Sequence, residues 1–179
     1  MSTPATSPSP QPSRQEIDTL CYAAGDQHNI ALVRELLDTY GAAIVNARSH
    51  YAATPLMYAA NWGHTEAVAL LLERGADISL KSDEGKTVLM YAAWNTGKSD
   101  TVLLLLERGA ALDEKSDADE TALSIAREQK MDEIAALLER GAEIQYPHSP
   151  QFLKDTDFSK GLEKPIPKPR PFKIPKPGA

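Results

Sequence analysis

The strongest constraint on how this 179-residue chain folds is a phrase that occurs three times. It is written TPLMYAA at 54–60, TVLMYAA at 87–93 and TALSIA at 121–126, so the leading threonines are 33 and then 34 residues apart. A second phrase follows each copy, as LLERGADI at 71–78, LLERGAAL at 105–112 and LLERGAEI at 137–144. Two phrases that recur in a fixed order at this period predict a stacked array of similar units.

Both phrases predict helices. In the first, threonine is a favourable N-cap, Pro55 suits the first helical turn, and the paired alanines allow another helix to approach closely. In the second, apolar residues recur at i, i+3 and i+4, as in Val68, Leu71 and Leu72. The glycine within each second phrase, which follows the leucine pair, is expected to be a left-handed C-cap. These glycines are Gly75, Gly109 and Gly141.

A degenerate first copy runs from Asp18 to Gly41, which makes four copies in all. Together they resemble the ankyrin repeat family, whose pattern is approximately D-x-x-G-x-T-P-L-H-x-A-A-x-x-G-H, then a V-x-x-L-L helix, then G-A-D. The resemblance covers about residues 16–146. It implies an all-α solenoid of helix-turn-helix units with short β-hairpin fingers.

The chain departs from the family pattern at three kinds of position, one of which is the proline, replaced by Val88 and Ala122. The family histidine is replaced by Met57, Met90 and Ser124. The Gly63-His64 pair of the second copy becomes Lys130-Met131 in the last copy, which suits a terminal repeat that faces water.

The composition of the two ends differs from that of the repeats. Four of the thirteen prolines lie in 1–12, eight lie in 147–177, and only Pro55 lies between. We therefore predict a disordered Pro/Ser-rich tail at 1–15, a repeat domain at 16–146 and a basic proline-rich tail at 147–179. The predicted repeats are 16–48, 49–81, 82–115 and 116–146.

The charge is distributed in the same way. Residues 147–179 carry seven basic and three acidic side chains, and the whole chain has a formal net charge of −6, which leaves −10 on residues 1–146. A body this acidic disfavours nucleic acid as a partner.

The sequence also bears on the compartment. Cys21 is the only cysteine, so no intrachain disulfide can form, and its place in a helix predicts a small buried side chain. Residues 1–12 have neither a basic start nor an apolar stretch, and no run is long enough to span a membrane. We expect a soluble protein of the cytoplasm or nucleus.

The sequence contains no convincing catalytic constellation. The four histidines, His28, His50, His64 and His148, are scattered, and no Gly-rich phosphate motif is present. The prediction is a noncatalytic protein with no cofactor and no metal.

The resemblance implies where a partner binds, because ankyrin partners usually dock on the fingers and on the inner face of the first helices. The positions that correspond here are His50, Tyr51, Ala53, Asn61, Trp62, Asp83, Glu84, Lys86, Trp94, Asn95, Asp117, Ala118, Glu120, Glu128 and Gln129.

Both tryptophans of the chain, Trp62 and Trp94, fall in this set, and tryptophan is enriched at interaction hot spots. The alternative is that each indole covers the neighbouring repeat and extends the core. The fingers at 82–86 and 113–120 are rich in acids, which favours a partner with a basic segment, and the alternative is a solvated charge run with no partner.

The C-terminal tail forms a second candidate module. Its residues Pro165, Pro167, Pro169 and Arg170 resemble the P-x-P-x-P-R motif that SH3 domains of some adaptors bind. Alternatives are a rigid spacer, and a tail that lies along the acidic repeats of its own chain.

Two functions of different classes follow. The first is a noncatalytic protein-protein interaction module that binds through its fingers and concave inner helices, with the tail as a second contact. The alternative is a small structural subunit or assembly chaperone that shields a basic protein.

Overall fold

The structure is a computed structural model that describes residues 11–26, 28–95 and 99–145. In these ranges it contains nine helices. They are α1 (Arg14–Ala24), α2 (Ile30–Tyr40), α3 (Ala42–Val45), α4 (Pro55–Asn61), α5 (Thr65–Glu73), α6 (Val88–Asn95), α7 (Ser99–Glu107), α8 (Ala122–Glu128) and α9 (Asp132–Gln145).

The helices form two layers. Helices α1, α4, α6 and α8 pack side by side as an inner layer, and α2, α5, α7 and α9 pack against them and against one another as an outer layer. The predicted all-α fold is confirmed. The β-hairpin fingers are reduced to tight turns, since the described residues contain only an isolated antiparallel bridge between Lys81 and Thr87 and no strand.

The paired alanines lie where the inner helices meet. Ala59, Ala60, Ala92 and Ala93 have no exposed surface, and Ala24 has none either. Because a methyl side chain occupies so little space, these helices approach closely. The outer-layer leucines and valines complete one continuous apolar core that extends from α1 to α9.

Threonine caps begin three of the inner helices, as predicted. The Thr54 hydroxyl accepts from the Met57 N–H at 3.4 Å, and Thr87 accepts from Met90 in the same way at 3.4 Å. The residue that replaces the family histidine completes each cap by accepting the threonine N–H. The acceptors are Met57 Sδ at 3.4 Å, Met90 Sδ at 3.5 Å and Ser124 Oγ at 2.8 Å.

The expected glycine caps are confirmed in two of three places. Gly75 and Gly109 have φ angles of 88° and 86°, in the left-handed region, just after α5 and α7. The prediction for Gly141 is wrong, because α9 continues through it to Gln145. A close contact explains a glycine at this position instead. A Cβ added there would lie 3.2 Å from Leu106 Cδ1.

None of the described helices is both long and apolar enough to cross a membrane.

Lys130 offers a test of backbone strain. It has a φ of 56° at the position where the second repeat has Gly63, with a φ of 66°. A left-handed backbone conformation is unfavourable for any residue that has a Cβ. Lys130→Gly should therefore raise the free energy of unfolding, measured by urea denaturation, by about 1 kcal/mol. Lys130→Ala is the matched control, since alanine keeps the Cβ and should give no gain. Equal stability of the two variants would contradict the strain.

Cys21 should be chemically protected in the folded protein. It is fully buried, and burial raises the pKa of its thiol to about 12. A thiol reagent such as dithionitrobenzoate should react slowly with the native protein at pH 8 and rapidly after unfolding in urea. Rapid, complete labelling of the native protein would show that this part of α1 is open.

Candidate partner-binding surface

Three tight turns precede the inner helices α4, α6 and α8, at residues 49–53, 82–86 and 116–120; we call them the fingers. Each finger is closed by a hydrogen bond from the N–H of its leading serine to the carbonyl four residues later. The distances are 2.9 Å for Ser49 to Ala53, 3.0 Å for Ser82 to Lys86 and 2.9 Å for Ser116 to Glu120. The fourth residue of each finger has a positive φ, at Ala52, Gly85 and Asp119.

This geometry exposes the residues at the tip of each finger. His50 and Tyr51, Asp83 and Glu84, and Asp117 and Ala118 are all exposed. Ala53 is the exception among the predicted finger residues, because it is only 4% exposed and packs in the core. The prediction that Ala53 contacts a partner is therefore wrong.

Contacts between repeats order the fingers. The His50 N–H donates to Asp18 Oδ1 at 3.1 Å, and the Asp117 N–H donates to the Glu84 carbonyl at 3.0 Å. Lys81 adds an ion pair to Glu114 at 2.6 Å. The fingers therefore form one edge of the solenoid.

Carboxylates dominate this edge. Asp83 and Glu84 are exposed in the second finger, and Asp117 is exposed in the third. Lys86 pairs with Glu84 at 2.8 Å, and this hydrogen bond is the main reason why the pKa of the lysine is raised. The third finger has its own pair, Lys115 with Asp119 at 2.7 Å.

Trp94 lies one residue before the end of α6, which is Asn95, and is 43% exposed. The Lys86 ammonium lies 4.9 Å from the centre of its ring. This is a cation–π distance, so the indole face already holds a cation. Lys86 thus links the finger carboxylate Glu84 to the indole.

Trp62 has a different environment. It is the C-cap residue of α4, just after the half-buried Asn61, and is 53% exposed. Its indole edge lies over Gly25 of the preceding repeat, so closely that a Cβ added there would be 2.8 Å from Trp62 Cδ1. The neighbouring His64 has its Nε2 2.9 Å from the Gly25 carbonyl. One edge of the Trp62 indole therefore covers the adjacent repeat, as in the alternative interpretation, and the rest of the side chain is exposed to solvent.

One exposed aromatic residue was missed by the sequence-based prediction. Tyr22 on α1 is 60% exposed, and its ring meets that of Tyr58 edge to face, with centroids 5.9 Å apart at 77°. The Tyr58 hydroxyl lies within hydrogen-bond distance of Ser49 Oγ, at 3.4 Å. Burial is the main cause of the raised pKa of Tyr58. The signal was present, because tyrosine occupies the same position in LCYAA, PLMYAA and VLMYAA.

The fourth repeat contributes weaker candidates. Glu128 ends α8 and is exposed, and Gln129 is the half-buried C-cap residue. Glu120 is half-buried and accepts from Ser116 Oγ at 3.3 Å. The tail motif of Pro165, Pro167, Pro169 and Arg170 lies outside the described residues.

We call the three fingers, together with Tyr22, Tyr58, Trp62 and Trp94, the finger face. Its side chains offer aromatic rings, hydrogen-bond donors and carboxylates. In the described part of the chain, no three His, Cys, Asp or Glu side chains are grouped as metal ligands would be.

Comparison with known proteins agrees with this architecture. A family model described as "Ankyrin repeats (3 copies)" matches residues 10–82, and one described as "Ankyrin repeat" matches residues 84–117. The chain therefore belongs to the ankyrin repeat family. Helices α8 and α9 follow the matched region and repeat its geometry. Ankyrin repeats are generally protein-protein interaction modules, and the family is generally noncatalytic.

Several curated relatives share the name "Ankyrin repeat, SAM and basic leucine zipper domain-containing protein 1". The one from Loxodonta africana is 42% identical over 87 residues, which are 49% of this chain and 17% of the relative. The one from Saimiri boliviensis boliviensis is 45% identical over 64 residues, 36% of this chain and 13% of the relative. The chain thus spans less than a fifth of the length of these relatives.

Gly25 gives a test of the Trp62 position. Its φ of −83° is ordinary, so Gly25→Ala adds no backbone strain, but the new methyl group must displace the indole. In a Trp94→Phe background, the tryptophan emission spectrum should shift. The free energy of unfolding should change by less than about 0.5 kcal/mol, because the indole can move into solvent. An unchanged spectrum would show that Trp62 does not lie over Gly25.

Proposed function

We propose that this protein is a noncatalytic adaptor that binds another protein through the finger face, with Trp62 and Trp94 as anchors. Its place of action is the cytoplasm or nucleus. The observation that carries the proposal is the distribution of exposed apolar side chains.

Five large apolar side chains of the described residues are strongly exposed, and four of these are aromatic. The four are Tyr22, Tyr51, Trp62 and Trp94, and all belong to the fingers or to the ends and faces of the inner helices. The fifth, Leu103, is on the outer helix α7. Exposed aromatic residues concentrated on one side of a fold mark an interaction surface.

The charges around these rings support a partner with a basic segment. Asp83, Glu84 and Asp117 are exposed on adjacent fingers, and only part of their charge is balanced by Lys86 and Arg48. An acidic rim attracts a basic partner during encounter and aligns it on the surface. The remaining predicted contacts, His50, Asn61, Asn95, Glu120, Glu128 and Gln129, are proposed as further parts of the binding surface.

The proline-rich tail is proposed as a second contact. Its Pro165, Pro167, Pro169 and Arg170 suit an SH3-type reader, so the protein would join two partners. Nucleic acid is disfavoured by the acidic body.

The test begins with affinity purification of partners on the full-length protein, followed by measurement of binding to each identified partner. Trp62→Ala combined with Trp94→Ala should weaken the affinity for the true partner by at least about 30-fold, since loss of one hot spot costs about 2 kcal/mol of binding free energy. Leu103→Ala is the control, because it removes an exposed apolar side chain from the outer layer and should leave affinity unchanged.

Two results decide between the proposals. Unchanged affinity of the double tryptophan variant would contradict the role of the finger face. Co-purification in a fixed ratio that resists salt would favour the structural subunit, whereas transient, salt-sensitive binding is expected of the adaptor or of an assembly chaperone.

A further inference from the structure

We propose that the ligand of the finger face is an extended, proline-rich segment of the partner protein that carries Arg or Lys and binds in the polyproline II conformation. This inference rests on the proposed function and adds the conformation and composition of the bound segment. Four features of the surface lead to it.

The backbone of the fingers is not suited to pairing with an added β-strand. The N–H of Ser82 is paired with the carbonyl of Lys86, and the Glu84 carbonyl accepts from the Asp117 N–H. The leading and closing groups of the first and third fingers are paired in the same way. Strand addition requires a row of unpaired backbone groups at a sheet edge, and the described residues contain only one isolated bridge. Recognition must therefore use side chains.

The side chains of the finger face supply hydrogen-bond donors that are unused. Within the described residues, neither the Tyr22 hydroxyl nor Trp94 Nε1 donates a hydrogen bond, although both residues are strongly exposed. The indole N–H can only donate, so it favours a ligand with free acceptors.

A polyproline II segment is rich in such acceptors. It has no internal hydrogen bonds, so its carbonyls remain free, and proline has no N–H of its own. A helical ligand uses its backbone carbonyls internally, so only its side chains could accept from Tyr22 and Trp94.

The aromatic rings fit the flat apolar surface of proline. Tyr22 and Tyr58 meet edge to face, so the face of one ring adjoins the edge of the other, and the hydroxyl of Tyr58 is held by Ser49. Receptors for polyproline II ligands use aromatic rings to pack against the proline rings. A ligand that is already extended loses little conformational entropy on binding.

The charges explain why the segment should be basic. The face of Trp94 is in contact with the Lys86 ammonium, and Lys86 is in turn paired with Glu84. Lys86 is thus an internal example of a cation held between an indole and a carboxylate. Asp83 and Asp117 on either side are exposed and can receive the guanidinium or ammonium groups of the ligand.

The experiment measures binding of synthetic peptides to the full-length protein by isothermal titration calorimetry. The probe is a capped peptide of four Pro-Pro-Arg units. The matched peptides contain four Pro-Pro-Glu units, which invert the charge, or four Gly-Ser-Arg units, which keep the charge but remove the polyproline II preference. The Pro-Pro-Arg peptide should bind at least about tenfold more tightly than either.

Single-group variants test the donors. Tyr22→Phe keeps the ring and removes the hydroxyl donor, whereas Trp94→Phe replaces the indole with a smaller aromatic ring and removes the Nε1 donor. Each variant should bind the Pro-Pro-Arg peptide about fivefold more weakly. Leu103→Ala should have no effect. If both Phe variants bind as the unmodified protein does, or if the Gly-Ser-Arg peptide binds equally well, the polyproline II assignment is overturned.

Two further arms separate this inference from its neighbours. In full-length protein with Pro165→Ser, Pro167→Ser and Pro169→Ser, binding of the peptide should be unchanged. A gain of tenfold or more would overturn the assignment to a partner protein and identify the chain's own tail as the ligand. A natural partner that is lost in the double tryptophan variant but is not displaced by the peptide would overturn the inference and leave the proposed function intact.

Discussion

The close contact between inner helices, made through paired alanines, is the interaction on which the rest of the structure depends. Helices α4 and α6 pack against each other, and Ala59 and Ala60 on α4 and Ala92 and Ala93 on α6 have no exposed surface. A larger side chain at any of these positions would separate adjacent repeats. Each repeat covers the apolar face of the next, so the spacing set by the alanines also sets the spacing of the fingers and of the aromatic side chains.

The threonine caps of the inner helices keep their hydrogen bonds although one of the capping residues differs from the family pattern. The family histidine is replaced by Met57, Met90 and Ser124, yet each of them accepts the N–H of the capping threonine. The requirement is for an acceptor at the third position of the helix, and sulfur or a hydroxyl oxygen meets it. This explains how the repeats can diverge from the family pattern without loss of the helix N-termini.

Much of the fold can be predicted from the sequence, because helix periodicity, caps and period recur in each copy. The prediction fails where a tertiary contact replaces a local rule. Gly141 does not end α9, which continues to Gln145, and a Cβ at this position would lie 3.2 Å from Leu106 Cδ1. The site is less predictable, because the repeat shows where tyrosine recurs but not how exposed each copy is. Tyr22 shares its repeat position with the more buried Tyr58 and Tyr91, so its exposure depends on its place in the first repeat.

The central claim is that the regular stack presents a single binding face on the side of the fingers. Amide hydrogen exchange, measured with and without a captured partner, tests it most directly. The account predicts added protection at residues 49–53, 82–86 and 116–120 and at the ends of α1, α4 and α6, with no change along α5, α7 and α9. Protection confined to the outer helices α5, α7 and α9 would contradict it.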